Sequence, residues 1–287
     1  MIGQNRLHYT VSVVVPTYNR SHDLSLTLQA LCRQNFPGGR FEVIVVDDGS
    51  SDDTFQVARA FEQRIDLKYI YQPDRGFRAA RARNCGCNAA EGEYIVFLDC
   101  GKLPGSQLLA AHVAAQRAGT RCAVIGYVYG FTHNNETSND ILDAIRVDDI
   151  DESIRALAGR TGLGDVRERL YARCNDELSA LPAPWALFWS GNISVSRQLC
   201  EAVGGFDENY VHWGAEDVDF GLALHQSGAR FHLCRAAAAI QFPHAKSRAD
   251  RLPAYLKNKQ YLHQKYQMPE TEYLLSHTTT ELNLNFP

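Results

Sequence analysis

No run of apolar residues in this chain approaches the roughly 20 needed for a helix to cross a bilayer, and the opening "MIGQNRLHYT" has no apolar h-region. The expectation from these two absences is a cytoplasmic protein with no transmembrane segment. Basic excess is missing too. The formal net charge is −4, which advertises neither nucleic acid nor an anionic membrane as a partner. The eight cysteines are scattered. Cys85 and Cys87 have C-x-C spacing, with no second Cys or His pair to complete a zinc site. At 287 residues the chain is too large to need disulfide staples, so reduced thiols are expected. Glycine cradles for phosphate are also absent. No G-x-x-x-x-G-K-[ST] occurs, and the near match "GLGDVR" (162–167) to a dinucleotide-binding fingerprint follows no strand. A diphosphate bound here would need cationic side chains or a metal. One more absence is local: "YIVFLDCG" (94–101) runs from Tyr94 to Leu98 into a single acid, Asp99, and two residues on stands Gly101 where a partner acid could have been.

What is present alternates. "VSVVVP" (11–16), "FEVIVVDD" (41–48), "LKYIYQ" (67–72), "YIVFLD" (94–99) and "CAVIGYVYG" (122–130) are short apolar strands. Between them lie helical patterns: Leu24, Leu28 and Leu31 share one face after Ser21, and further helices are expected through Val57 and Phe61, up to about Ala90, and over 107–118. This rhythm predicts an α/β fold with a mostly parallel central sheet covered by helices on both faces. Ligands then bind at the carboxyl ends of the strands, where Thr17, Tyr18, Asn19, Asp47, Asp48 and Asp99 stand. The stretch 131–182 is polar, with "THNNETSND" and "DDIDES", and is expected to be a mobile loop-plus-helix insertion. The tail from Arg251 is expected to be helical to about Gln267. With no internal repeat, the chain is expected to be one domain, 1–287: a nucleotide-binding half (10–130), the insertion, an acceptor-side half (183–250) and a C-terminal helix and tail (251–287).

Four segments, "VSVVVPTYNR", "VIVVDDGSSDDT", "GFRAARARNCGCNAAEGEYIVFLD" and "WGAEDVDFGLAL", together resemble the family 2 glycosyltransferases of the GT-A (Rossmann-like) fold. The last also resembles the carboxyl-terminal segment of β-1,4-galactosyltransferases and bacterial chondroitin polymerases. The resemblance covers nearly all of 10–245 and implies an inverting glycosyltransferase using a nucleotide-sugar, UDP-sugar first, and an acceptor hydroxyl on a small molecule or glycan. It implies that Pro16, Thr17, Tyr18 and Asn19 surround uracil and ribose, and that Asp48 accepts the uracil N3–H. It also implies that Arg83, with Arg75 or Arg78, faces the diphosphate. For each the sequence leaves a plainer reading open: Asp47 and Asp48 as an Asx turn before Gly49, the arginines as a solvated helix face, Tyr18 as packing.

"WGAEDVDFGLAL" puts Glu216, Asp217 and Asp219 into the first turn of a helix, where its dipole favours acids. Glycosyl transfer with inversion needs a base for the acceptor proton and stabilisation of the departing diphosphate. The resemblance implies Asp217 as that base and Glu216 as a hydrogen-bonding partner to sugar hydroxyls. Trp213, turned in by Gly214, offers a face for a sugar ring. In the family a D-x-D pair holds Mn²⁺ or Mg²⁺. Here Asp99-Cys100-Gly101 supplies one acid, and His244, in "QFPHAKSR", is the expected second ligand, giving a metal of reduced affinity; the other answer open is that arginines carry the leaving-group charge. The competing classes are a sugar-phosphate nucleotidyltransferase, whose Gly-rich loop "PTYNRSHDL" does not supply, and a degenerate, non-catalytic nucleotide-sugar binder.

Overall fold

The β-branched run Val11–Thr17 forms β1, around which the sheet is built; the structure, a computed structural model, describes residues 9–37, 39–130, 138–244 and 248–286. Strand β1 pairs in parallel with β2 (Phe41–Asp47) on one side and with β4 (Tyr94–Leu98) on the other, and β2 pairs in parallel with β3 (Leu67–Tyr71). Beyond β4 come β7 (Asn192–Ser196), β6 (Cys122–Tyr129), β8 (Arg230–Gln241) and the short edge strand β5 (Lys102–Pro104). Among the described residues this makes one eight-stranded sheet in the order β3-β2-β1-β4-β7-β6-β8-β5.

The expected parallel rhythm holds for the first four strands and then changes. Strand β7 lies antiparallel between β4 and β6, and β5 is antiparallel to β8. The chain reaches β7 through a long helical excursion rather than a crossover helix, so nothing obliges it to run parallel. The fold is therefore mixed α/β, with the parallel half carrying the strand ends that the sequence singled out.

Alternate residues of each strand face opposite sides. Val13, Val15, Val43 and Val45 pack under α1 (Ser21–Leu31), α2 (Thr54–Phe61) and α4 (Leu108–Arg117), through Leu24, Leu28, Ala58 and Leu109. On the other face Val14, Ile44, Ile95 and Phe97 meet Ala80 and Ala82 of α3 (Ala79–Ala89) and Phe220 and Leu224 of α9 (Glu216–Gln226). Among the described residues, no helix is long and apolar enough to cross a membrane.

The described part of the 131–182 stretch carries helices, as expected of a loop-plus-helix insertion: α5 (Ser138–Ala144), α6 (Ile150–Ala158) and α7 (Glu168–Arg173). Ile150 and Leu157 are buried against Leu103 and Ile240. Its firmest anchor is ionic: the buried Arg167 donates from Nε and Nη2 to the two oxygens of buried Asp165, at 2.9 and 2.7 Å, and from Nη1 to the carbonyl of Leu187 at 2.9 Å. Asp165 also accepts the backbone N–H of Val128 at 3.0 Å. The polar composition that suggests mobility belongs to the solvated faces of α5 and α6, while apolar and paired charges point inward. Residues 131–137, where the sequence is most polar, lie outside the described residues.

Arg167→Leu leaves Asp165 buried without its counter-charge and is expected to lower stability by about 3–5 kcal/mol. Urea unfolding checks this: the double variant with Asp165→Asn should recover much of the loss, and a single-variant cost below about 1 kcal/mol would show that the pair is not the anchor.

Candidate active site

The carboxyl ends of β1, β2 and β4 open into a cavity of about 910 Å³. On one side stand Pro16, Thr17 and Tyr18 from the end of β1, with Asp48 just past β2. Tyr18 is exposed and donates its hydroxyl to Asp74 at 2.9 Å. Asp48 is held by the Gln72 side-chain amide and by the backbone N–H of Arg78 at 3.0 Å. Burial raises its pKa against the pull of those two donors. Its neighbour Asp47 points away: one oxygen accepts the N–H of Ser50 at 2.8 Å and the other the hydroxyl of Tyr69, so the Asx turn belongs to Asp47 alone.

Across the cavity the chain enters α9 through two residues in the left-handed region, Gly214 at φ +94° and Ala215 at φ +70°. A Cβ on Gly214 would come within 2.8 Å of the Tyr255 ring, so the tight entry needs glycine there. The turn brings Trp213, Glu216 and Asp217 to the cavity wall. Trp213 is 43% exposed, its ring centroid 5.9 Å from that of Tyr255. Glu216 is buried; Oε1 pairs with Arg83 at 3.2 Å, and Oε2 has no hydrogen-bond partner among the described residues. Burial and the adjacent Glu216 charge push Asp217 up to about 7, with Arg83 pulling the other way. Asp219 takes no part. Two residues on in a helix it faces elsewhere, and it clasps Lys265 of the C-terminal helix α10 (Arg248–Tyr266) at 2.9 Å.

The two sides are joined by Arg83. Its Nη2 donates to Asp99 Oδ1 at 2.9 Å while Nη1 reaches Glu216, and the guanidinium lies 5.4 Å from the Phe206 ring centroid. Asp99 would be raised by burial, but Arg83, Lys102 and Arg20 outweigh this and hold it below the usual carboxylate range.

The surroundings of Asp99 differ from a metal site. Gly101 sits at φ +88°, and a Cβ there would lie 2.6 Å from Arg20 Nη2. The place of the absent acid is covered by a guanidinium. A Cβ at Gly191 would lie 3.4 Å from both Asp99 Oδ2 and Lys102 Nζ, so carboxylate and ammonium face one small space. Lys102 Nζ donates in turn to Gln241 Oε1, and Gln241 Nε2 lies 3.4 Å from His244 Nδ1. Asp99 and His244 both line the cavity, yet an ammonium sits in the chain of contacts between them. Among the described residues no three His, Cys, Asp or Glu are grouped to hold a metal ion. Asp99 is thus surrounded by three cations, Arg83, Lys102 and Arg20, a poor setting for a resident divalent ion, and the structure gives the expected Asp99–His244 metal pair no direct contact.

Of the other expected site residues, Pro16, Thr17, Tyr18, Asp48, Arg83, Trp213, Gly214, Glu216 and Asp217 meet at the cavity; Asn19 and Arg75 do not line it. Asn19 instead ties two loops together, its N–H donating to Ser50 Oγ at 2.7 Å and its side-chain oxygen accepting the N–H of Ser51 at 2.8 Å. Arg83, expected to face the diphosphate, has both terminal nitrogens engaged by carboxylates, so its geometry is that of a bridge. Sequence reasoning missed Arg20, Lys102, the Asp165–Arg167 pair and Thr278–Thr280, which also line the cavity. Arg20 was within reach, being one residue beyond "PTYN"; the others depend on contacts far along the chain.

Known proteins resemble this chain in sequence and in fold. The family model described as glycosyl transferase family 2 matches residues 12–164, and one described as the N-terminal domain of galactosyltransferase matches 173–247. The chain is 35% identical over 252 residues to validoxylamine A glucosyltransferase of Streptomyces hygroscopicus subsp. jinggangensis, covering 86% of this chain and 59% of that protein. It is 31% identical over 264 residues to the chondroitin synthase of Escherichia coli, covering 89% of this chain and 38% of that protein. The chain thus spans well under two thirds of the length of these relatives. Its fold matches that of S. aureus TarS in complex with UDP-GlcNAc, at TM-score 0.62 and 18% identity over 89% of this chain and 66% of that one. It also matches a mannosyltransferase of Pyrobaculum calidifontis in complex with GDP-Man and Mn²⁺, at TM-score 0.59 and 20% identity over 96% and 70% of the two chains. With the family model matching more than half of its residues, and with the GT-A arrangement in place around the cavity, the chain belongs to glycosyl transferase family 2.

Proposed function

We propose that this chain is an inverting glycosyltransferase that moves a sugar from a nucleoside diphosphate sugar, UDP-sugar first, to a hydroxyl of a small molecule or glycan. The observation that carries this reading is the placement of Asp217. It stands at the start of α9 and lines the same cavity as Tyr18 and Asp48, and it has no ion pair among the described residues. UDP as the donor nucleotide is supported by the UDP-GlcNAc complex of a fold neighbour. The breadth of the acceptor class is supported by relatives as different in name as a validoxylamine A glucosyltransferase and a chondroitin synthase.

In the reaction the acceptor hydroxyl oxygen attacks the anomeric carbon from the face opposite the diphosphate. A C–O bond forms, the bond to the β-phosphate oxygen breaks, and its electron pair leaves with the nucleoside diphosphate. The hydroxyl proton passes to Asp217, whose raised pKa makes it a stronger base than an exposed aspartate while leaving it largely able to ionise near neutrality. Glu216, fixed by Arg83, offers its second oxygen to a sugar hydroxyl. Trp213 gives the acceptor side an apolar face. Thr17, Tyr18 and Asp48 take the nucleoside.

Asp217→Asn is expected to lower turnover by about 10²–10⁴-fold while nucleotide binding survives. Release of nucleoside diphosphate, rather than sugar phosphate, from a panel of nucleotide-sugars separates transfer from nucleotidyl exchange. A variant with near-normal turnover removes Asp217 from the base role.

The pH dependence follows from the same group. In the wild type kcat/KM should fall about tenfold per unit as the pH drops below about 7, because the base becomes protonated; a flat profile from pH 5 to 8 contradicts this. Stability runs the opposite way. A carboxyl with a raised folded pKa favours the fold while protonated, and that contribution is lost as the pH climbs through the folded value. Asp217→Asn should therefore melt above the wild type at pH 8, with the gap closing as the pH falls toward 4. A gap that widens on acidification would mean that Asp217 is not raised.

A further inference from the structure

The environment of Asp99 has a second consequence. We propose that in this chain built-in cations, Lys102 and Arg20, hold the diphosphate of the donor in place of a divalent metal ion. The inference rests on the reading of the cavity as a nucleotide-sugar site, and it goes beyond it by assigning the diphosphate contact to two residues.

Three observations carry it. First, position 101 is glycine in the left-handed region, and the Arg20 guanidinium covers the spot that a side chain there would enter. Position 101 supplies no carboxylate, and a positive charge lies over the spot where one would stand. Second, the Lys102 ammonium shares the space beside Gly191 with Asp99 and reaches Gln241, which in turn contacts His244. It therefore stands within the series of contacts that links Asp99 to His244. Third, the lysine is placed at a cost. Its side chain is almost fully buried, on β5 at the cavity wall, and a buried ammonium needs counter-charge and hydrogen bonds to remain ionised. Asp99 supplies the counter-charge.

Position agrees with charge. Arg20 follows the base-side residues Thr17 and Tyr18 by two or three positions, and Lys102 follows Asp99 by three. Both line the cavity and act on Asp99, which Arg83 ties to Glu216 of α9. Arg83 is held between two carboxylates, Asp99 and Glu216, whereas Arg20 pairs with one, Asp23, at 2.6 Å. As the glycosidic C–O bond breaks, the electron pair gathers on the β-phosphate oxygen, and an ammonium and a guanidinium there donate charge-assisted hydrogen bonds to it. Asp99 changes role with them: it is the anchor of Lys102 and Arg83 rather than a ligand.

The test is a calorimetric titration of the full chain with UDP, GDP and ADP, each after exhaustive chelation and again with added Mn²⁺. The expected result is that the nucleotide that binds does so equally well in both conditions. Arg20→Gln and Lys102→Met, with folding checked by circular dichroism, should each weaken binding under chelation by about tenfold or more, the weight of a hydrogen bond to a charged group. Lys102→Met should also acquire a dependence on Mn²⁺, because the space beside Asp99 is no longer filled by a charge. Wild-type binding that is lost on chelation and restored by Mn²⁺ overturns the proposal but leaves the nucleotide site standing. Folded variants that bind like the wild type under chelation overturn it as well. Absence of binding by all three nucleotides in both conditions removes the nucleotide reading and this inference together.

Discussion

A buried guanidinium holds the site together. Arg83 sits on α3, yet its two terminal nitrogens pair with Asp99 at the end of β4 and with Glu216 at the start of α9. These segments are 133 residues apart at the widest, and they belong to the two stretches that separate family models match. Without the bridge, two carboxylates would face each other across the cavity, a repulsion that deepens where water is excluded. With it, each has a counter-charge, and Phe206 packs its ring against the guanidinium. The site depends on this bridge as much as on the strand ends that frame it.

The bridge also sorts the acids by role. Asp99 is held ionised by Arg83 and two further cations, and Glu216 is fixed in place with one oxygen still open. Asp217, one residue on, has no such partner among the described residues, and burial beside Glu216 raises it to about 7. In the proposed mechanism, environment rather than residue type thus separates an anchor, a hydroxyl-binding group and a base among three carboxylates. Asp219, by its helical phase, leaves the site altogether and secures the C-terminal helix through Lys265.

Much of this was legible in the sequence, for local reasons. Strand ends are marked by apolar runs that stop at polar residues, so Thr17, Tyr18, Asp48 and Asp99 could be placed on one edge. A helix opened by acids after Trp213-Gly214 could be placed too. What could not be read depends on distant contacts. Lys102 looks like an ordinary polar residue until β5 pairs with β8 and sets it beside Gln241. Arg20 looks like a helix-leading surface charge until Gly101 turns beneath it. The Asp165–Arg167 pair lies in a stretch whose composition suggests solvent, because average polarity does not reveal which charges are turned inward. The antiparallel insertion of β7 between β4 and β6 was hidden for the same reason: register between distant segments is decided by packing, and periodicity alone is silent on it. Asn19 went astray in a different way, being at the right edge but turned, at φ 49°, toward the neighbouring loop.

The central claim is a single displacement driven by one base on one face of the sugar. The most direct measurement is the anomeric configuration of the first product formed from an α-linked nucleotide-sugar, followed by proton NMR during turnover. The account predicts a β-linked product, with α forms arising only later by free mutarotation where the product is a reducing sugar. An α-linked product formed first would require two successive displacements or a same-face mechanism, and would contradict the assignment of Asp217 as the base of a single displacement.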